Sequence, residues 1–155
     1  MLICALAIVC SACDEAPTSK PHSFSAVEVN QILASSPVSV SWEDVAATFA
    51  LGGLNTDLQR QMMTDKLIGH VVEWRIRVYD ISLEGNRYRL ISEPAEIPAT
   101  DAFNIIRVVA FIPATDTQSV DALQAAQTGT MLTVRGLVRE ITLRSAVVLA
   151  PAFLK

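Results

Sequence analysis

Between Val71 and Tyr79 the side chains alternate, with Val72, Trp74, Ile76 and Val78 on one phase and Glu73, Arg75, Arg77 and Tyr79 on the other. Successive strand residues point to opposite faces, so this pattern demands a sheet with one buried side and one wet side. The change from helical to alternating period falls near residue 67. Glu84-Gly-Asn86 supplies a turn, and Arg87–Ile91 alternates again with Tyr88 and Leu90 inward. Pro94 and Pro98 mark a loop. Phe103–Ile112 reads as a third, mostly apolar strand whose one charge is Arg107, and Pro113 stops it. Ser119–Gln127 reads as a short helix with Val120, Leu123 and Ala126 on one face, ended by Gly129. Met131–Leu143 alternates once more, with Gly136 placed for a bend or bulge, and Ser145–Phe153 forms a last strand with Val147 and Leu149 on one side.

Three strands, a helix and two strands is the element order of a five-stranded Greek-key OB barrel, which is partly open in its usual form. Gly129-Thr-Met-Leu-Thr-Val-Arg-Gly136 followed by Arg144–Leu149 resembles the end of OB domains, where one glycine precedes the fourth strand and a second bends it. Leu67-Ile-Gly-His-Val-Val-Glu-Trp-Arg-Ile-Arg-Val resembles their first strand. The likeness covers roughly residues 64–155 and is similar to the small exported barrels grouped with anticodon-binding domains. The fold class expected is mainly β, with another small β-barrel or an α+β roll as the alternatives.

Ahead of the barrel, Ser25-Ala-Val-Glu28 and Thr56-Asp-Leu-Gln59 have capping-box spacing, and Ser41-Trp-Glu-Asp44 is a third helix start. The first helix would carry Val29, Ile32 and Leu33 before Pro37; the second, Trp42, Val45 and Phe49; the third, Leu58, Met62 and Met63. Short helices packed on the barrel are expected, in a fragment from about Ser41 that folds unaided. Gly52-Gly53 lacks the lysine and second glycine of a phosphate loop.

Residues 1–12 are apolar and uncharged, too short a run for the roughly 20 residues that span a bilayer. Ser11 and Ala12 precede Cys13, and Asp-Glu-Ala-Pro-Thr-Ser-Lys-Pro follows. This resembles a bacterial lipobox, in which the signal is cut before a cysteine that carries acyl chains. Two positions depart from that pattern: Cys10 stands where leucine is usual, and no basic residue precedes the apolar run. The resemblance implies lipidation of Cys13, a membrane anchor and a periplasmic domain. Asp14 resembles the enterobacterial signal for inner-membrane retention. The expected organisation is a signal over 1–12, a tether over 13–24, a helical preface over 25–66 and a barrel over 67–155.

Composition narrows the function. The net charge is −4, and residues 67–155 hold nine acidic and nine basic side chains, eight of the latter arginine. A neutral barrel with few aromatics argues against nucleic acid as the partner. Cys4, Cys10 and Cys13 are the only cysteines, so the domain has no disulfide, thiolate metal site or thiol nucleophile. His22 lies in the tether and His70 at the mouth of the first strand, neither with a partner in sequence. No nucleophile elbow, His-Glu-x-x-His pair, dinucleotide fingerprint or paired carboxylate motif occurs. No cofactor is implied.

The remaining constellation is arginine: Arg75, Arg77, Arg87 and Arg89 on the first two strands, joined by Arg107 on the third. Such residues fork onto phosphates, acidic sugars or a partner's carboxylates; alternatively they pair with Glu73, Asp80, Glu84 and Glu93 and keep the sheet soluble. The expectation is a non-catalytic, membrane-tethered module that docks a protein or an anionic envelope ligand. The alternatives are an oligonucleotide-binding OB domain and an envelope enzyme.

Overall fold

The computed structural model describes residues 24–97, 104–142 and 144–155; Cys13, His22, Pro98, Phe103 and Leu143 lie outside them. Three helices come first: α1 (Ala26–Ala34), α2 (Trp42–Phe49) and α3 (Asp57–Leu67). Each starts where its sequence says it should. Ser25 and Glu28 form a reciprocal capping box, as do Thr56 and Gln59, and the Ser41 hydroxyl accepts from the Asp44 amide. Side-chain oxygens thereby satisfy backbone donors that a helix start leaves free.

Five strands follow, β1 (Val71–Glu84), β2 (Arg87–Ser92), β3 (Arg107–Pro113), β4 (Met131–Thr142) and β5 (Ala146–Leu154), with α4 (Thr117–Ala125) between β3 and β4. They close into a barrel in the order β1-β2-β3-β5-β4. All pairings are antiparallel except β3 with β5. This is an OB-like fold, and it is closed rather than partly open. Alternation begins at Val71, later than the change of period suggests, because α3 runs on to Leu67, whose side chain is fully buried.

The predicted inward face of β1 holds, with Val72, Trp74, Ile76 and Val78 all buried. After Val78 the register with β2 shifts, and Asp80 then pairs with Ile91. One extra residue, Tyr79, is turned outward, and the phase reverses so that Ile81 packs on the core and Asp80 does not. The β1–β2 turn has a positive φ of 63° at Gly85 and none at Asn86, the arrangement of a type II′ hairpin.

The register of β4 with β5 shifts just after Gly136. A Cβ on Gly136 would lie 2.9 Å from that of Ala152 and 3.0 Å from that of Leu149, so only glycine lets β4 and β5 approach. α4 buries Ser119 and Leu123; of the Val120, Leu123 and Ala126 stripe that its spacing predicts, Leu123 alone is buried. The Ser119 hydroxyl accepts from the Leu154 amide at 2.9 Å, tying α4 to the end of β5.

The helices pack unequally. α2 buries Trp42, Val45, Ala46 and Phe49 in the same cluster as the barrel interior. α1 lies on the outside of the barrel, with Ile32 against Val71 and Phe153. On α3 the buried residue is Leu67, with Met63 packed beside it; Leu58 and Met62, expected inward, are 70% and 63% exposed. Among the described residues no helix is long and apolar enough to cross a bilayer.

Candidate ligand-binding face

The phase of β2, β3 and β5 decides what the barrel shows to solvent. Leu90, Val108, Ala110, Ile112, Val147 and Leu149 point inward and are fully buried. The intervening residues form one half-exposed outer face: Arg87, Arg89 and Ile91 on β2, Arg107, Val109 and Phe111 on β3, Val148 and Ala150 on β5. Arg89 stands opposite Phe111, and Ile91 opposite Val109, which in turn neighbours Val148.

Arginine and aromatic rings meet at both ends of the β3 row. The Arg87 guanidinium carbon lies 4.1 Å from the Phe111 ring centroid, and that of Arg107 lies 4.5 Å from the Tyr79 centroid. Both are cation–π distances. The row from Arg107 to Phe111 spans four residue steps, about 13 Å of strand. Glu84 is shared by Arg89 at 3.0 Å and Arg87 at 3.7 Å, so one carboxylate answers two guanidinium groups. Arg87 Nε, Arg89 Nε and Ser82 Oγ are buried and, among the described residues, have no hydrogen-bond partner.

The ladder separates the five arginines singled out from the sequence. Arg75 and Arg77 sit on the first half of β1, which pairs with β4: Arg75 opposes Thr133, and Arg77 opposes Met131. Arg87 and Arg89 oppose Glu84 and Ser82 on the second half. The hairpin therefore does not bring the two pairs side by side; nine residue steps, about 30 Å of strand, part Arg75 from Glu84. Arg77 meets Glu93 at 3.5 Å. Arg87, Arg89 and Arg107 do share the outer face. Tyr79, Phe111 and, beyond them, Arg139 and Phe24 are functional candidates that the sequence did not reveal. A phase assignment for the apolar third strand would have found Phe111, whereas Arg139 reaches Glu28 across 111 positions of sequence.

Three other side chains bear on chemistry. His70 is exposed, its Nδ1 3.1 Å from the Ile68 carbonyl. Among the described residues no three His, Cys, Asp or Glu side chains are placed to hold a metal ion. The Glu28 carboxyl is held below the usual carboxylate range by the Ser25 backbone amide, the Ser25 hydroxyl and then Arg139. Asp57 is lowered in the same sense by Arg60 and, more weakly, Arg144.

Barrel and face together define a small OB-like domain with an arginine–aromatic outer surface. No family model and no curated protein matches the chain. Solved structures similar to it include a lipoprotein from Klebsiella pneumoniae, described as a candidate nucleic acid-binding protein, with 18% identity over 61% of this chain and 76% of that one and a TM-score of 0.41. A candidate aspartyl-tRNA synthetase from Leishmania major matches over 78% of this chain with 10% identity and a TM-score of 0.45. The Entamoeba histolytica aspartyl-tRNA synthetase matches over 57% with 15% identity and a TM-score of 0.40. The chain spans 22% and 19% of the two synthetases. All three scores lie below 0.5.

Proposed function

We propose that this chain is a lipid-anchored, non-catalytic OB-type module that binds single-stranded nucleic acid across the outer face of β2, β3 and β5. The observation that carries this reading is the pair of arginine–aromatic stacks, Arg87 on Phe111 and Arg107 on Tyr79, at the two ends of one strand row. Single strands are held by cationic grooves with planar groups on which bases stack. From composition alone a protein or an anionic envelope ligand ranked ahead of nucleic acid. Two of the few aromatics stand with arginines on one outward surface, which supports putting nucleic acid first.

The test is fluorescence anisotropy of the full-length chain in detergent with a labelled single-stranded 12-mer. Phosphate contacts from Arg87, Arg89 and Arg107 should give a log–log salt slope of about −2, at −0.7 per contact. Replacing Arg87 and Phe111 together by alanine should weaken binding about 10–100-fold, one stacking platform's contribution. Arg75→Glu, on the other half of β1, should leave it within about twofold, as a long-range effect screened by salt. Undiminished affinity in the double variant would remove this face from the reading. Tighter binding of an acidic envelope polymer than of the oligonucleotide would replace the ligand.

The anchor rests on the apolar run, Ser11-Ala12, Cys13 and the polar stretch after it. In the native host the mature chain should begin at an acylated Cys13. Cys13→Ser should release the protein from membranes or arrest its processing, as membrane fractionation and mass spectrometry would show. An unmodified Cys13 with residues 1–12 still attached contradicts the anchor.

A further inference from the structure

The outer face does not run freely off the barrel at the Phe111 end. The start of α1 lies across it, and between them is a groove of about 510 Å³. Its floor is Phe111, Val148 and Ala150; its walls are Arg87 on one side and Arg139 with the Phe24 and Glu28 segment on the other. Phe24 also borders a second depression, with Asn86 and Pro113. The volume lies within the range of small-ligand sites.

The charges in the groove are arranged around an exchangeable anion. Arg139 donates through Nε to the Ala150 carbonyl at 2.7 Å, which fixes the guanidinium. Its terminal nitrogen meets the Glu28 carboxylate at 2.9 Å. Both side chains of this ion pair are partly exposed, at 45% and 40%. Exposed pairs contribute little to stability, so another anion can displace Glu28 at small cost. Arg87 supplies a second guanidinium from β2, already stacked on the floor at Phe111. The Arg87 guanidinium covers the Phe111 ring, so its own outer face is the plane on which a base can stack, while its edge and Arg139 are the cations for a phosphate.

We propose that this groove is an end-binding site: it takes the terminal nucleotide of a single strand, with its terminal phosphate on Arg139 and Arg87 in place of Glu28. The proposal rests on the nucleic-acid reading above and adds that the strand stops at α1. A terminal phosphate carries close to two negative charges near neutral pH, where an internal phosphodiester carries one. The site therefore favours phosphorylated ends over hydroxyl ends.

The experiment is competition by anisotropy, with the full-length chain in detergent. The competitors are 8-mers of one sequence carrying a 5′-phosphate, a 3′-phosphate or neither, and the corresponding mononucleotide. One phosphorylated form should compete about tenfold better than the unphosphorylated strand, the worth of one charge-assisted contact. Arg139→Gln should erase that preference while leaving the hydroxyl-ended strand bound. Glu28→Gln should sharpen it, because glutamine still completes a capping box, as Gln59 does on α3, but carries no competing charge. Unchanged melting curves would show both variants folded. Equal affinity for all three 8-mers overturns the end site and leaves the face intact. A preference that survives Arg139→Gln overturns the groove assignment. Binding of no oligonucleotide at all overturns both readings.

Discussion

Trp74→Ala is expected to cost about 3–5 kcal/mol of unfolding free energy, the range for deleting a fully buried large aromatic. The ring is 2% exposed and lies on the inward face of β1. It packs on Trp42 with ring centroids 5.4 Å apart, and its Nε1 donates to the Val40 carbonyl at 2.8 Å. One side chain thus joins the barrel interior to α2 and to the segment before it. Alanine would open a cavity between them and leave a buried carbonyl without its donor, two separate losses. Urea unfolding measures the difference directly. A cost below about 1 kcal/mol, the range of surface substitutions, would contradict the facing assigned to β1.

The second large effect is expected at Arg135, which is 8% exposed and comes from β4. Its guanidinium donates to the carbonyls of Ile32, Leu33 and Ser35 at the C-terminal end of α1. These are carbonyls that a helix end leaves unpaired, and a cation there also suits the helix dipole. Arg135 further meets Glu73 at 3.5 Å, a carboxylate that Lys155 approaches to 2.8 Å. Arg135→Ala should cost about 2–4 kcal/mol, less than a buried pair broken outright because Lys155 still answers Glu73. Arg135→Lys should recover only part of it, since a point charge cannot serve three carbonyls at once. Hydrogen exchange should locate the damage: the α1 amides should lose protection first, as Ile32 comes away from Val71 and Phe153. Unaltered exchange in α1 would show that the arginine does not hold it. The same contacts bear on a fragment begun near Ser41, which the sequence suggests is self-sufficient. It would lack α1 together with Val38 and Val40, uncover Phe153, leave Arg135 without its carbonyls and leave Trp74 Nε1 without its acceptor, so it should be less stable than Arg135→Ala.

Local signals in this chain were legible because they act over a few residues. Ser25 with Glu28 and Thr56 with Gln59 cap their helices as spaced, and Gly85 makes the turn that its position suggests. Val147 and Leu149 face inward as their strand implies. Beyond Tyr79 the alternation of β1 loses phase. From Val78, strict alternation would turn Asp80, Ser82 and Glu84 inward, whereas the extra residue at Tyr79 turns Ile81 to the core instead. The third strand is apolar on both phases apart from Arg107, whose even spacing from Phe111 is the one signal in its sequence that places that ring outside. Leu58 and Met62 share a helical stripe, yet tertiary packing selected the opposite side of α3 through Leu67.

The functional face was only partly legible for a related reason. Arg87, Arg89 and Arg107 follow from strand spacing, but which strand each pair would meet depends on register. Arg75 and Arg77 pair with β4 because the chain closes into a barrel, a contact more than fifty residues distant in sequence. Arg135 gave no signal at all, since its partners on α1 lie about a hundred residues earlier.

The central claim is that a single strand lies on the outer face of β2, β3 and β5. The most direct measurement is an amide and side-chain NMR titration of the protein with an unlabelled single-stranded oligonucleotide. The account predicts shift changes at Arg87, Arg89, Arg107, Val109, Phe111 and Val148 that saturate together and move little at Arg75 and Arg77. Changes confined to the β1–β4 side of the barrel, or none at millimolar oligonucleotide, would contradict it.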